Sequence, residues 1–481
     1  MSENDLMSQM ESLPLSLRYG VRQLQTRINR NTNLLPIGQD QVSGNGAGTV
    51  RFRFPSASII NLSSISISFN TTISGLSTDA TNWVNALVPS AYKYVKRAQF
   101  FLGGVACCGS LCQEYNQVYH AMLKATTNVQ YCHAKTLNGF TEVSDIYDKF
   151  GNLTEKPTAT SKTCFQILDD FLLLARGNGA SVNPDMFIDT SLWNDLELEL
   201  LFDNNSILSV FSPSNGQADP AAYALTTGAQ VSWALNNIRL NVDCISSIPA
   251  VYGAVMELRT SRPEPIRLVF QNIVSQVAVV QGTNRIQVSS TSIDGLMICG
   301  LVSNYNTPKA FVANLAGADV VVDITNNNKF NFVSLGLTES STFSAILQVG
   351  TTTYPTSAYN NIYLLADSTF RHYWHNSIVA TSLLYQQNVA LVKTNVLSQA
   401  SQDYVIDNFL SNQFIWVQSF CLEDGWSSAS KTLSGIDTQS TNTDILIITN
   451  VNTNAYNLLM IGLLSSYLEY DTQSRRVRVI Q

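Results

Sequence analysis

Three groups of residues in this chain are of types that do chemistry. The densest is a set of soft ligands: Cys107, Cys108 and Cys112, then His120, then Cys132 with His133. Thiolates and imidazoles at short spacing hold zinc when two pairs converge on a tetrahedron. Cys108-x3-Cys112 fits one pair, and Cys132-His133 would have to supply the other, although adjacent residues reach two corners of a tetrahedron poorly. The competing reading, small buried thiols, is the one the residues favour. The second group is His372 and His375 in RHYWH, a spacing that puts two imidazoles on one helix face. No carboxylate or third histidine accompanies them, and HExxH is absent. The third is Glu197 and Glu199, on one face of a strand. Acid–base hydrolysis wants two carboxylates ~5–10 Å apart, which such neighbours satisfy. Their alternation with Leu196, Leu198 and Leu200 is equally the pattern of a solvent-facing strand, and that reading is preferred. GxSxG, Walker A and GxGxxG are missing. The residues nominate no catalytic, cofactor or metal site, and the chain is read as non-enzymatic.

The elements that would position these residues are strands. Thr49 to Asn70, TVRFRFPSASIINLSSISISFN, holds two in quick succession. Val50, Phe52 and Phe54 point one way and Arg51 and Arg53 the other; Ile65, Ile67 and Phe69 alternate with serines. Period-two alternation marks a strand with one face buried and one wet. Pro55 has no N–H to donate and ends the first ladder. The parity slips between Leu62 and Ile65, which predicts a bulge or a late strand start. Two such strands each need a second sheet to cover their apolar face.

Further strands are expected at Tyr94–Gly104, Trp193–Phe202, Val231–Ile245, Ile266–Gln281, Gln287–Val302, Phe343–Val349, Phe414–Phe420, Asp444–Thr449 and Leu458–Glu469. Cys164–Leu174 reads as strand or helix. Helices are expected at Ser110–Ala125, Ser401–Leu410 and after a linker near Ile248. Short strands with polar turns indicate sandwiches or jelly rolls, and helices do not alternate with strands as parallel α/β requires.

The chain has 481 residues, too long for one ordinary core. Charged residues are 13%, about half the usual share, with apolar residues at 45%. Weakly charged, Ser/Thr/Asn-rich surfaces lose little on desolvation, which suits assembly. The net charge of −7 excludes a general nucleic-acid binder. The N-terminus is polar and acidic, unlike a secretory signal. The eight cysteines show no framework spacing, which points to folding in a reducing, intracellular compartment. The N-x-S/T triplets at Asn61, Asn70, Asn152 and Asn204 are what chance gives in such a composition.

Leu17, Val21, Leu24 and Ile28 form one helical stripe, with Arg18 and Arg22 off it. A Gly-rich spacer, Ser43 to Gly48, separates it from the first strand. This is read as an arm that grips a neighbouring subunit or a membrane surface. The expected organisation is an arm over residues 1–40, a first β-domain over 41–247, a linker over 248–265 and a second β-domain over 266–481.

In their order these pieces resemble the major capsid proteins of double jelly-roll DNA viruses, the lineage of polinton-like viruses, adintoviruses and virophages. RFRFPSASIINLSSISISFN is similar to the first strands of that family's N-terminal roll. YVKRAQFFLGG followed by EYNQVYHAML resembles its strand–helix insertion. DTSLWNDLELELLF and LNNIRLNVDCI resemble the closing strands of that roll, and KTLSGIDTQSTNTDILIITNV with LLMIGLLSSYLEYD the close of the second. The resemblance runs from about residue 16 to the end. It implies an all-β-dominated chain of two jelly rolls side by side, with a few helices in long connections. It implies a homotrimer of six rolls that forms a pseudo-hexameric capsomer and tiles an icosahedral virion shell. Neighbouring capsomers, minor capsid and penton proteins, or an internal membrane under the arm, would be the partners; no sequence-specific nucleic acid and no cofactor is implied. Thr72–Ser90 and Asn304–Asn331 are the candidates for the tower. The alternatives are a glycan-cleaving amidase on two jelly rolls, and a carbohydrate-binding surface protein that uses Trp374, Trp416 or Trp426.

Overall fold

The computed structural model describes residues 28–46, 48–56, 58–75, 85–87, 91–126, 162–167, 187–190, 195–213, 231–246, 266–303, 305–306, 309–313, 329–330, 332–333, 344–361, 364–365, 414–420, 435–440, 444–450, 455–471 and 476–480. Two jelly rolls stand side by side. In the first, β1 (Ile28–Leu34) with β2 (Val42–Ser43), β12 (Ser232–Ser246), β4 (Ile59–Ser74) and β8 (Lys162–Ile167) with β9 (Phe187–Asp189) make one sheet, in that order. The facing sheet is β3 (Thr49–Arg53), β10 (Leu196–Phe202), β6 (Val95–Leu102) and β7 (Val105–Cys108). In the second roll, β13 (Ile266–Val279), β21 (Tyr456–Asp471), β15 (Ile293–Val302) and β19 (Ile415–Ser419) make one sheet. Its partner is β14 (Thr283–Ile286), β20 (Ile445–Thr449), β17 (Ala345–Val349) and β18 (Thr352–Tyr359). Counting each roll's eight strands in chain order, both rolls pair one-eight-three-six and two-seven-four-five. The pairings within these sheets are antiparallel, as two stacked Greek keys require.

The Thr49–Asn70 stretch supplies β3 and most of β4, and Pro55 lies between them. The two strands sit in opposite sheets, so their apolar faces meet: Val50, Phe52 and Phe54 are buried against a core that also takes in Ile65, Ile67 and Phe69. The expected bulge is present. Asn241 of β12 pairs with Ser66, but Asp243 pairs with Asn61, so β4 spends three extra residues there. Asp243 N donates to Ser64 Oγ at 2.8 Å, and Ser64 Oγ donates to Asn61 O at 2.7 Å, replacing the lost ladder bonds. This is why buried Ile60 and Leu62 fall on even positions while Ile65, Ile67 and Phe69 fall on odd ones.

Three expectations shift. The helix expected from Ser110 is α1, Tyr115–Thr126, and begins later. Gly109 N, Leu111 O, Gln113 N and Glu114 N instead bond to β13 of the second roll, and Cys112 N closes a tight turn on Gly109 O, so the helix starts after them; Val118 N donates to Glu114 O in its first turn. The ambiguous stretch from Cys164 is a strand where described, β8. Ile28, the end of the expected helical stripe, opens β1 and pairs with Ser246. Leu17, Arg18, Val21, Arg22 and Leu24 lie outside the described residues, as do the helices expected near 248–260 and 401–410.

A small third sheet joins the rolls. β11 (Ser209–Pro213) runs antiparallel to β5 (Asn85–Leu87) and parallel to β16 (Lys309–Ala313). Both stretches singled out as tower candidates reach this sheet, through β5 and β16. After β21 the chain turns back as β22 (Arg476–Ile480), whose Val477 and Val479 pack on the core shared by the rolls.

Candidate functional site: the seam between the rolls

The sheet β13-β21-β15-β19 is covered on both faces. Leu458, Met460 and Leu464 of β21 enter the second roll's own core, while Leu459, Ile461, Leu463 and Leu468 join the core of the first roll. β15 divides the same way: Leu296 and Ile298 on one side, Met297, Cys299 and Leu301 on the other. A strand buried on both faces has no wet positions, so its sequence is a continuous apolar run rather than an alternating one. LLMIGLL is such a run. Gly462 fits within it because a Cβ there would come within 2.7 Å of Val274 Cγ1, its cross-strand neighbour.

The free edge of β13 is met by the segment that follows β7. Gly109 N donates to Asn272 Oδ1 at 3.2 Å, Ser275 N donates to Leu111 O at 3.1 Å, and Gln113 N donates to Ser275 Oγ at 2.9 Å. Gly109 has φ +78°, and a Cβ would meet Ala98 O at 2.0 Å, so the close approach needs glycine.

Charged groups are sealed behind this contact. Lys329, from the second half of the chain, is fully buried and places Nζ 2.5 Å from Asp203 Oδ2 and 3.6 Å from Glu114 Oε2. Asn116 Nδ2 donates to Asp203 Oδ2 at 2.7 Å and to Lys93 O at 3.0 Å. Asn204 N donates to Asp203 Oδ1 at 2.8 Å, and Gln117 Nε2 to Lys329 O at 2.9 Å. Lys96 Nζ is 3.6 Å from Glu114 Oε1. Buried Lys93 lies 4.3 Å over the ring of Phe330, a cation–π contact across the seam. Burial pushes the Glu114 carboxyl above the ordinary range, against the pull of Lys329 and Lys96. Buried ions must find partners of good geometry or cost several kcal/mol each. Lys329 finds its partner Asp203 only when the rolls are docked, so the network fixes their register.

The residues singled out for chemistry take other roles. Glu199 accepts from Arg51 at 2.5 Å and from Arg97 at 3.2 Å, and Arg51 also lies 3.6 Å from Glu197. These carboxylates are tied into a cross-strand ion ladder on the outer face of β3-β10-β6, with Arg53 bound to Asp195. Arg51 and Arg53 do leave the roll's core, as their parity predicts, but their partners are on the same sheet. Cys107, Cys108 and Cys112 are buried; burial pushes the thiols of Cys107 and Cys112 up to about 12, far from the thiolate that binds zinc. His120 lies in α1, and Cys132, His133, His372 and His375 lie outside the described residues. Trp416 is buried in the second roll's core rather than offered to a sugar. Sequence reasoning missed Lys329, Asp203, Glu114, Asn116 and Gln117. The one local signal was KFNF, where a lysine precedes alternating phenylalanines, Phe330 and Phe332, that are both buried.

No family model matches the chain, and no curated protein sequence matches it. Solved structures do. The capsid of the virus PBCV-1, in a quasi-atomic model, aligns at a TM-score of 0.53 with 10% identity, covering 93% of this chain and 95% of that one. This chain has the fold of a PBCV-1 capsid chain. PBCV-1 VP54, as fitted into a reconstruction of the virophage Sputnik, gives the same TM-score and identity over 95% of this chain and 97% of its own. At 10% identity the likeness is one of fold, and it spans both rolls and the seam.

Proposed function

We propose that the chain is a major capsid protein. The observation that carries the reading is the duplicated eight-strand order, fused across a buried seam, over nearly the whole length shared with the PBCV-1 capsid chain. Three copies would place six rolls in a ring, a pseudo-hexagonal tile for an icosahedral shell, with penton and minor proteins completing it. Closed symmetry makes modest interface energies add up. The ion ladder over Arg51, Glu199 and Arg97 and the Asn-rich β1 give the rolls polar outer faces that suit repeated contacts. The free, buried cysteines fit folding in the reducing interior of a host cell. The arm carrying Leu17, Arg18, Val21, Arg22 and Leu24 would lie beneath the tile, against a neighbour, a minor protein or an internal membrane.

Light scattering on the purified protein, with electron microscopy of the same sample, tests this. The expected species is three chains of 52.9 kDa or larger closed shells. A monomer at every concentration, releasing product from a glycan substrate, would overturn it.

A further inference from the structure

Behind the contact between the rolls, one amine and two carboxyl groups share a space largely closed to water. The side chain of Lys329 is 0% exposed, that of Asp203 1% and that of Glu114 10%. An ion pair this dry has to offset the cost of desolvating two charges. The same two groups have a neutral alternative, an amine beside a carboxylic acid, reached by moving one proton along the bond they share. In water such a pair stays ionic and inert. In a dry, fixed site it is a nucleophile held against an acyl group.

Both reactants are fixed through their backbones. Asp203 directly follows β10, and its N donates to Tyr94 O at 2.9 Å. The carbonyl of Lys329 accepts from Gln117 Nε2 at 2.9 Å. Lys329 Nζ then lies 2.5 Å from Asp203 Oδ2. Asn204 N donates to Oδ1 at 2.8 Å, at the oxygen where charge gathers when a nucleophile attacks the carboxyl carbon. Asn116 Nδ2 donates at 2.7 Å to Oδ2, the oxygen that such an attack expels. Glu114 completes the set. Its Oε2 is buried without a hydrogen bond among the described residues and lies 3.6 Å from Lys329 Nζ. Burial raises its carboxyl above the ordinary range, which makes it a better proton carrier near neutral pH. Lys96, the other amine beside Glu114, has a side chain 33% exposed and stays solvated.

We propose that Lys329 Nζ and Asp203 Cγ condense to an amide, a covalent lock across the seam, with Glu114 as the catalytic residue. One proton passes from Nζ to Oδ2, leaving an amine and an acid. The Nζ lone pair then bonds to Cγ, and the π electrons of the Cγ–Oδ1 bond collect on Oδ1, facing Asn204 N–H. Glu114 gives its proton to Oδ2 and takes one from Nζ. The Cγ–Oδ1 double bond re-forms as the Cγ–Oδ2 bond breaks, and Oδ2 leaves as water. Glu114 ends as it began, and no oxidant, reductant or co-reactant is consumed. The geometry described is that of the reactants, and the ion pair holds the seam until the amide forms. The bond joins positions 126 residues apart. A disulfide could do this only in an oxidising compartment, and the described cysteines are free; an amide is indifferent to thiols. The lock acts within one chain and stands apart from the proposed shell.

Mass spectrometry of the purified full chain, incubated at neutral pH and then unfolded in denaturant, tests this. The unaltered chain should weigh one water less than its sequence. Proteolysis should yield a branched peptide that joins the segment of Asp203 to that of Lys329. Lys329→Arg keeps the charge without the reactive amine and should carry its full sequence mass. Glu114→Gln, sampled at intervals after cell-free synthesis, should link at least about 100-fold more slowly than the unaltered chain. An unaltered chain at its full sequence mass would overturn the inference. So would a lost water confined to a single peptide, as a cyclic imide at Asp203-Asn204 would leave it, or a branch that joins Lys329 to Glu114. Linking of Glu114→Gln at the unaltered rate would overturn the proton path. Should Lys329→Arg fail to fold, the mass and the branched peptide of the unaltered chain decide alone.

Discussion

At the residue scale, the sharpest contrast is between neighbours. Phe52 is fully buried at the centre of the first roll, while Arg51, one position away, is exposed, donates to Glu199 and lies 5.2 Å from the Phe101 ring. Phe52→Asp should abolish folding, seen as loss of a cooperative melt. Arg51→Ala should cost at most about 1 kcal/mol, since exposed ion pairs contribute little and Glu199 keeps Arg97. The seam behaves differently. Lys329→Met strands a buried Asp203 and should cost about 3–5 kcal/mol in denaturant unfolding, whereas Lys329→Met with Asp203→Leu should recover most of that loss. Glu114 sets a pH dependence. Its folded value is raised, so its contribution is fully present below the unfolded value of about 4.5 and is lost as pH rises through the folded value. Thermal midpoints of the native chain should therefore fall across that window, and Glu114→Gln should flatten the fall.

At the scale of elements, β21 shows how burial on both faces changes what a sequence can reveal. Its alternate residues serve two different cores, so Met460→Ala and Ile461→Ala should each cost about 2–5 kcal/mol for unlike reasons. Met460→Ala hollows the second roll. Ile461→Ala hollows the seam, and should also expose α1 and residues 109–114 to faster hydrogen exchange. Gly109→Ala, which drives a methyl into Ala98 O at a positive φ, should loosen the same segment while leaving the second roll's protection intact. The late start of α1 has the same origin: Gly109 N, Leu111 O and Gln113 N bond to β13, and Cys112 N closes only a tight turn on Gly109 O.

On the scale of the whole molecule, the repeated strand order makes one chain into two blocks of the same topology, joined through the β13 edge, the buried charges and the small third sheet. The low charge of the chain, 13%, leaves polar faces that lose little on desolvation.

The β character, the two faces of β3, the bulge in β4 and the strand β10 were all legible in the sequence, because period-two alternation reports which side of a strand meets water. The double-sided burial of β15 and β21 was visible only as apolar runs, since a run does not say what covers each face. Ile28 read as the end of a helical stripe because its spacing suits a helix, and pairing with β12 decided otherwise. The roles of Lys329, Asp203 and Glu114 were not legible at all. Each is an ordinary charged residue in its own segment, and only docking of residues far apart in the chain removes water from around them. Alternation is local and survives in sequence; a seam between two rolls is a long-range contact, and the tertiary structure alone decides which charges it buries.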